Sequence, residues 1–99
     1  MRISLARRVE AELADKFKYG VERFGNAVAK RTFQRVRHMI FQTIPAQPEA
    51  ATYHEDRDLF ERMIPRTPFV IFNRHDPRAE EITVLALFGQ SENRDSFED

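Results

Sequence analysis

Apolar positions along this chain follow two rhythms. Between Val9 and Ile44 they recur every three or four residues, with Val9, Leu13, Phe17, Val21 and Phe24 forming one stripe and Ala29, Phe33, Val36, Ile40 and Ile44 a second. That spacing lines a single face of an α-helix. Gly25-Asn26 separates the stripes and Pro45 follows the second. The pattern therefore predicts two helices, with Asn26 capping the second and Pro45 ending it. A link this short makes them antiparallel neighbours. Gly20 sits inside the first stripe at a cost of about 1 kcal/mol relative to Ala and is expected to fray its last turn.

Elsewhere the period shortens to two. Arg2-Ile-Ser-Leu5 reads as a short first strand, and Leu59–Ile64 as a weakly alternating one closed by Pro65. Phe69–Arg74 and Ile82–Phe88 are the strongest strand signals, rich in Val, Ile and Phe and joined by a turn at His75, Asp76, Pro77 and Arg78. Residues 45–56 read as an irregular loop. The stretch after Gly89 is polar apart from Phe97, so the tail from about 92 to 99 is expected to be loosely held. The whole, residues 1–99, predicts one α+β domain: a short first strand, then a two-helix antiparallel hairpin packed on a mainly antiparallel β-meander.

Strand alternation sets a burial problem. Phe69, Ile71 and Asn73 point one way, and Val70, Phe72 and Arg74 the other; Ile82, Val84, Ala86 and Phe88 likewise oppose Thr83, Leu85 and Leu87. Both faces are largely apolar, and two helices cover one. The expectation is that a second polypeptide completes the burial in an exposed apolar groove. Its rival is that a strand edge or the tail folds over the remainder.

Composition narrows the chemistry. Hydrophobic residues make up 41% and charged residues 32%, with nine Phe, which suits a modest core under a polar surface. There is no apolar run of spanning length and no apolar leader after Met1. The absence of Cys removes disulfides and thiolate zinc sites and suits a cytoplasmic protein. Net charge is zero but uneven: residues 1–40 hold ten Lys/Arg against four Asp/Glu, and residues 69–99 hold three against seven. The basic face of the second helix, with Lys30, Arg31, Arg35 and Arg37, reads first as a solvated face. Contact with a nucleic-acid backbone and attraction of an acidic partner are the alternatives.

No catalytic set stands out. Phosphodiester cleavage needs a base, an acid and cationic stabilisation; the sheet region offers Arg57, Arg62, Arg66, Arg74 and His75, but no Lys after Lys30 and no Tyr after Tyr53. Arginine is a poor proton carrier. His54-Glu-Asp-Arg-Asp58 lacks the Gly-centred frame of a calcium loop and reads as a solvated acidic loop. No metal ligand set, cofactor motif or catalytic residue is assigned.

Three segments carry a resemblance in their order and spacing: Lys18-Tyr-Gly-Val-Glu-Arg-Phe-Gly25, Ile64-Pro-Arg-Thr-Pro-Phe-Val-Ile-Phe-Asn-Arg74, and Ile82-Thr-Val-Leu-Ala-Leu-Phe-Gly-Gln-Ser91. Across about residues 2–95 the chain resembles the ParE/RelE superfamily of type II toxin–antitoxin toxins, and ParE more than RelE. The family's usual His-Gly exit from the last strand reads Phe88-Gly89 here. The resemblance implies a β-α-α-β-β-β toxin that is not an enzyme, is neutralised by a ParD-like antitoxin, acts on DNA gyrase, and meets DNA only through the antitoxin. By position, the poisoning surface is expected at Arg74, Gln90, Ser91, Asn93 and Arg94. Antitoxin binding is expected at Val9, Leu13, Phe17, Arg31, Arg35, Phe60, Phe69, Ile71, Phe72 and Phe88. The alternatives are a RelE-like ribosome-dependent mRNA endonuclease using Arg62, Arg66, Arg74 and His75, or a degenerate toxin that only binds its antitoxin.

Overall fold

The computed structural model describes residues 1–95 and Phe97. Strand β1 (Arg2–Leu5) runs into helix α1 (Arg7–Phe24), which Gly25 alone joins to α2 (Asn26–His38). Gly25 has φ +89°, a conformation that side chains with a Cβ resist, and its N–H closes α1 on the Val21 carbonyl at 2.9 Å. It also serves as the N-cap of α2, so Asn26 is the first helical residue rather than the cap. Gly20 does not fray α1. It faces α2, where an added Cβ would lie 3.5 Å from the Ala29 Cβ.

Pro45 was expected to stop the second helix and instead lies within it. The run continues through a π-helical turn, Met39–Thr43, into α3 (Ile44–Ala46). In the wide turn the Ile44 N–H reaches the Met39 carbonyl. Pro45 thus occupies the first turn of α3, where its missing N–H costs little. The expected loop at 45–56 also contains a strand: β2 (Thr52–His54) pairs antiparallel with β3 (Leu59–Met63). Strands β4 (Phe69–Asp76) and β5 (Glu81–Gly89) complete a meander. The sheet order is β1-β5-β4-β3-β2, with β1 parallel to β5 and every other pair antiparallel.

A bulge changes the faces of β5. Phe72 pairs with Ala86 but Asn73 pairs with Val84, so Leu85 is an extra residue. Simple alternation put Ile82, Val84, Ala86 and Phe88 together; the bulge splits them. Ile82, Val84 and Leu87 join Val9, Val36, Ile40, Ile44, Ile64 and Ile71 in the core beneath the helices. Ala86 and Phe88 join Leu59, Phe72 and Phe97 in a second cluster. Each fully buried aliphatic or aromatic side chain contributes roughly 1.5–3 kcal/mol, which makes these two clusters the main source of cohesion.

The second cluster is closed by the chain's own tail. The Phe97 ring meets Phe72 and Phe88 edge-on, with centroids 5.3 and 5.8 Å away. The guanidinium of Arg8 lies 5.0 Å from its centroid and that of Arg57 lies 5.5 Å away. The rival expectation, a tail folding over the sheet, therefore holds for this face. The rest of the tail expectation falls on Ser96, Glu98 and Asp99, which lie outside the described residues. Among the described residues no helix is long and apolar enough to cross a membrane.

Candidate functional site

Surface grooves among the described residues border these elements. The largest of these, about 620 Å³, lies at the Gly25 end of the helical hairpin, beside the start of β4 and the end of β5. Its walls are Tyr19 and Phe24 of α1, Val28, Ala29 and Phe33 of α2, and Pro68 and Phe69 at the start of β4. Tyr19 is 60% exposed and Phe24 61%. At its floor Phe33 bridges Phe17 and Phe69, with centroids 5.5 Å apart in each pair. Along its rim the Glu92 carboxylate accepts from the Gly89 N–H at 2.8 Å and pairs with Lys16 at 3.0 Å. The backbone hydrogen bond, reinforced by Lys16 and Arg8, holds that carboxyl below the ordinary glutamate range. This apolar cleft remains bare where the sheet itself is sealed.

A second groove, about 430 Å³ and polar, lies over the Phe72 side of the sheet. His54 of β2 and Glu61 of β3 meet across it, Nε2 to Oε1, at 2.9 Å. Arg94 approaches the other Glu61 oxygen at 3.3 Å, and its Nη1 donates to the Gln90 carbonyl. Arg57 donates to the carbonyls of Arg94 and Phe97, which fastens the tail along one wall. An imidazole, a carboxylate and two guanidiniums gathered in this way can move a proton and hold an anion. The sequence reading placed His54 in a solvated loop; β2, too short to signal itself, carries it to Glu61.

The third groove, about 380 Å³, lies between α2 and the β3–β4 turn. Arg31, Gln34, Arg35, His38 and Met39 form one wall, and Ile64, Pro65 and Arg66 the other. Arg66 has φ +61°, an unfavourable conformation for a side chain with a Cβ. Its carbonyl faces the Arg35 Nη1 at 3.5 Å.

The structure divides the residues expected at sites. Gln90, Asn93 and Arg94 line the polar groove, whereas Ser91 lines the apolar one. Arg74 stands apart, with Nε donating to the Asp58 carbonyl at 2.7 Å and Nη2 to that of Arg57 at 3.0 Å. Of the residues expected to bind an antitoxin, Phe69 lies in the apolar groove and Arg31 and Arg35 in the basic one. Leu13 and Phe17 are half-buried, and Phe60 stacks on Tyr53 at 4.9 Å towards the other edge of the sheet. Val9, Ile71, Phe72 and Phe88 are consumed by the chain's own cores, so their assignment to a binding surface is corrected. Nor do the nuclease alternatives converge. Arg62 is buried, with its Nη2 on the Gln47 carbonyl; Arg66 lies at the turn; and His75 pairs with Ile82, a residue of the core under the helices. Burial lowers the Arg62 pKa from its usual value. Tyr19, Phe24 and Val28 were not expected at a site. Their signal is that Phe24 ends the first stripe at the hairpin tip, and Val28 lies off the second.

Two helices on one face of a five-stranded sheet, with the first strand parallel beside the last, define a small α+β class. No protein-family model matches the chain, and no curated protein matches it. Several solved structures are similar to it, two of them from toxin–antitoxin systems. One is a chain of the chromosomal ParDE TA system from P. aeruginosa, 19% identical with a TM-score of 0.71, covering 90% of this chain and 95% of that one. The other is a chain of the intact E. coli RelBE toxin–antitoxin complex, 12% identical with a TM-score of 0.56, covering 93% of this chain and 98% of that one. The chain has the ParE/RelE-type fold.

Proposed function

We propose that this chain is the toxin of a type II toxin–antitoxin system, of the ParE-like kind, and that a ParD-like antitoxin holds it by filling the apolar groove at the hairpin. The single observation that carries this reading is that groove: Tyr19, Phe24 and Val28 stay exposed around an aromatic floor, gathered in one cleft. The similar P. aeruginosa and E. coli structures are both parts of toxin–antitoxin systems. A target such as DNA gyrase would then meet the exit of β5, where the Gln90 N–H donates to the Pro68 carbonyl and Arg94 pairs with Glu61 of β3. Expression of the chain alone in bacteria tests the reading. Growth arrest with a DNA-damage response and intact transcripts supports it; undisturbed growth contradicts it.

A second reading has its own observation, the His54–Glu61 pair with Arg57 and Arg94 in the polar groove. It supports a RelE-like ribonuclease, with His54 in place of the residues named from the sequence. Cleaved transcripts that disappear on His54→Ala favour it, and arrest that persists on His54→Ala returns the choice to the ParE-like reading.

A further inference from the structure

The basic groove between α2 and the β3–β4 turn is a charged pocket that neither reading above uses. Its charge is set by local sequence. Arg31, Arg35 and His38 follow at spacings of four and three, which places them in one row along α2. Arg66 lines the opposite wall. From Asn26 to Pro48 the sequence contains no Asp or Glu, and no carboxylate lines the groove. Among the described residues no carboxylate lies within ion-pair distance of Arg31, Arg35, His38 or Arg66. Elsewhere Arg8, Lys16 and Arg94 each meet one at 3.3 Å or less.

The backbone around the groove is irregular as well. Like charges on successive turns of a helix repel one another, and the φ of +61° at Arg66 is unfavourable for a residue with a Cβ. The π-helical turn brings Met39 and Thr43 to the same wall. Departures of this kind collect where a ligand is held.

The hydrogen-bond donors of the groove are largely unspent. A guanidinium carries five N–H groups. On Arg35 one reaches the Arg66 carbonyl at 3.5 Å, and the Arg31 and Arg66 side chains have no protein partner among the described residues. An acceptor-rich anion suits this set, and phosphate suits it well, because a guanidinium fork binds two phosphate oxygens at once. Size narrows the choice. The cavity, about 380 Å³, lies at the small end of the range for small-molecule sites, about 300–1,000 Å³. Its lining includes an apolar part, Met39, Ile64 and Pro65, and an aromatic ring, His38, on which a base stacks. Three guanidiniums in one pocket match a compact polyphosphate better than a nucleic-acid strand, which spreads its charge along the backbone. Mg²⁺ usually joins polyphosphates to acidic side chains; here arginines stand where those would be.

We propose that this groove binds a free nucleoside di- or triphosphate without a metal ion. The phosphates lie among Arg31, Arg35 and Arg66, and the base lies against Met39, Ile64 and the His38 ring. The site goes beyond the toxin reading and does not depend on it.

Isothermal titration calorimetry of the full chain with ATP, GTP, CTP and UTP in magnesium-free buffer tests this. Saturable binding of at least one triphosphate is expected, weakened about tenfold by Arg35→Ala and by Arg66→Gly. The second variant removes the charge where glycine suits the backbone, so loss of fold does not mimic the result. Added Mg²⁺ should weaken binding, since it competes with the arginines for the phosphates. Tripolyphosphate and the matching monophosphate should each bind less tightly, one lacking the base and the other most of the charge. Absence of saturable binding by all four triphosphates overturns the proposal, as does binding that ignores both variants or is strengthened by Mg²⁺. Tripolyphosphate binding as tightly as the nucleotide overturns it too, because the base then contributes nothing. So does a single-stranded oligonucleotide that binds through the same arginines more tightly than every free nucleotide.

Discussion

At the residue scale, the side chains that the hydrophobic pattern treats as exceptions explain the most. Arg62 interrupts the apolar side of β3, yet it is 6% exposed and sends its guanidinium to the Gln47 carbonyl at the end of the helical run. There it binds an orphan helix carbonyl and complements the negative end of the helix dipole. Arg62→Ala leaves that carbonyl unmet and opens a cavity; a loss of about 2–4 kcal/mol is expected in urea unfolding. Arg66 behaves oppositely. Its backbone at φ +61° suits glycine, so Arg66→Gly is expected to raise the melting temperature by a few degrees, on the order of 0.5–1 kcal/mol. Neither residue announced its role in sequence: a lone arginine in a strand says nothing of the carbonyl it will reach, and one in a turn says nothing of its φ.

At the scale of elements, strong periodicity was legible and small irregularities were not. The two stripes become α1 and α2, and the Val/Ile/Phe runs become β4 and β5, because burial against one face enforces the period. The extra residue at Leu85 leaves no trace in the pattern, since either parity of β5 offers apolar side chains to both faces. β2 escaped notice because three residues are too few to show an alternation. Phe97 was visible as a lone apolar residue in a polar tail, but its partners Phe72 and Phe88 are brought together only by the folded sheet. Phe97→Ala is expected to cost about 2–3 kcal/mol, measured by chemical unfolding; an unchanged midpoint would show that the tail contributes no packing. The tail is also fastened by Glu92. A carboxyl whose folded pKa is depressed contributes stability above its unfolded value near 4.3, and loses it as pH falls through the folded one. The Gly89 amide resonance is therefore expected to titrate below the ordinary glutamate range, and Glu92→Gln should abolish that titration.

At the scale of the whole molecule, charge and apolar surface are sorted into separate places. The far face of the sheet is closed by Phe97, Arg8 and Arg57, so the sequence-based expectation of a bare sheet gives way to a bare helical hairpin. The proposed partner site accordingly lies not on the strands but in the groove beside Tyr19, Phe24 and Val28. That groove was not legible because the stripes say which residues share a face, not where the sheet beneath them ends. Phe24 lies at the hairpin tip, exposed and outside both cores, so changing it leaves the fold intact. The most direct measurement is growth of bacteria producing Phe24→Glu together with a small protein that rescues growth from the unaltered chain, the antitoxin that the proposed function calls for. Arrest of growth despite the antitoxin is the predicted result, because a charge in the groove rejects the apolar segment while the toxic surface stays whole. Full rescue, equal to that of the unaltered chain, would contradict the account.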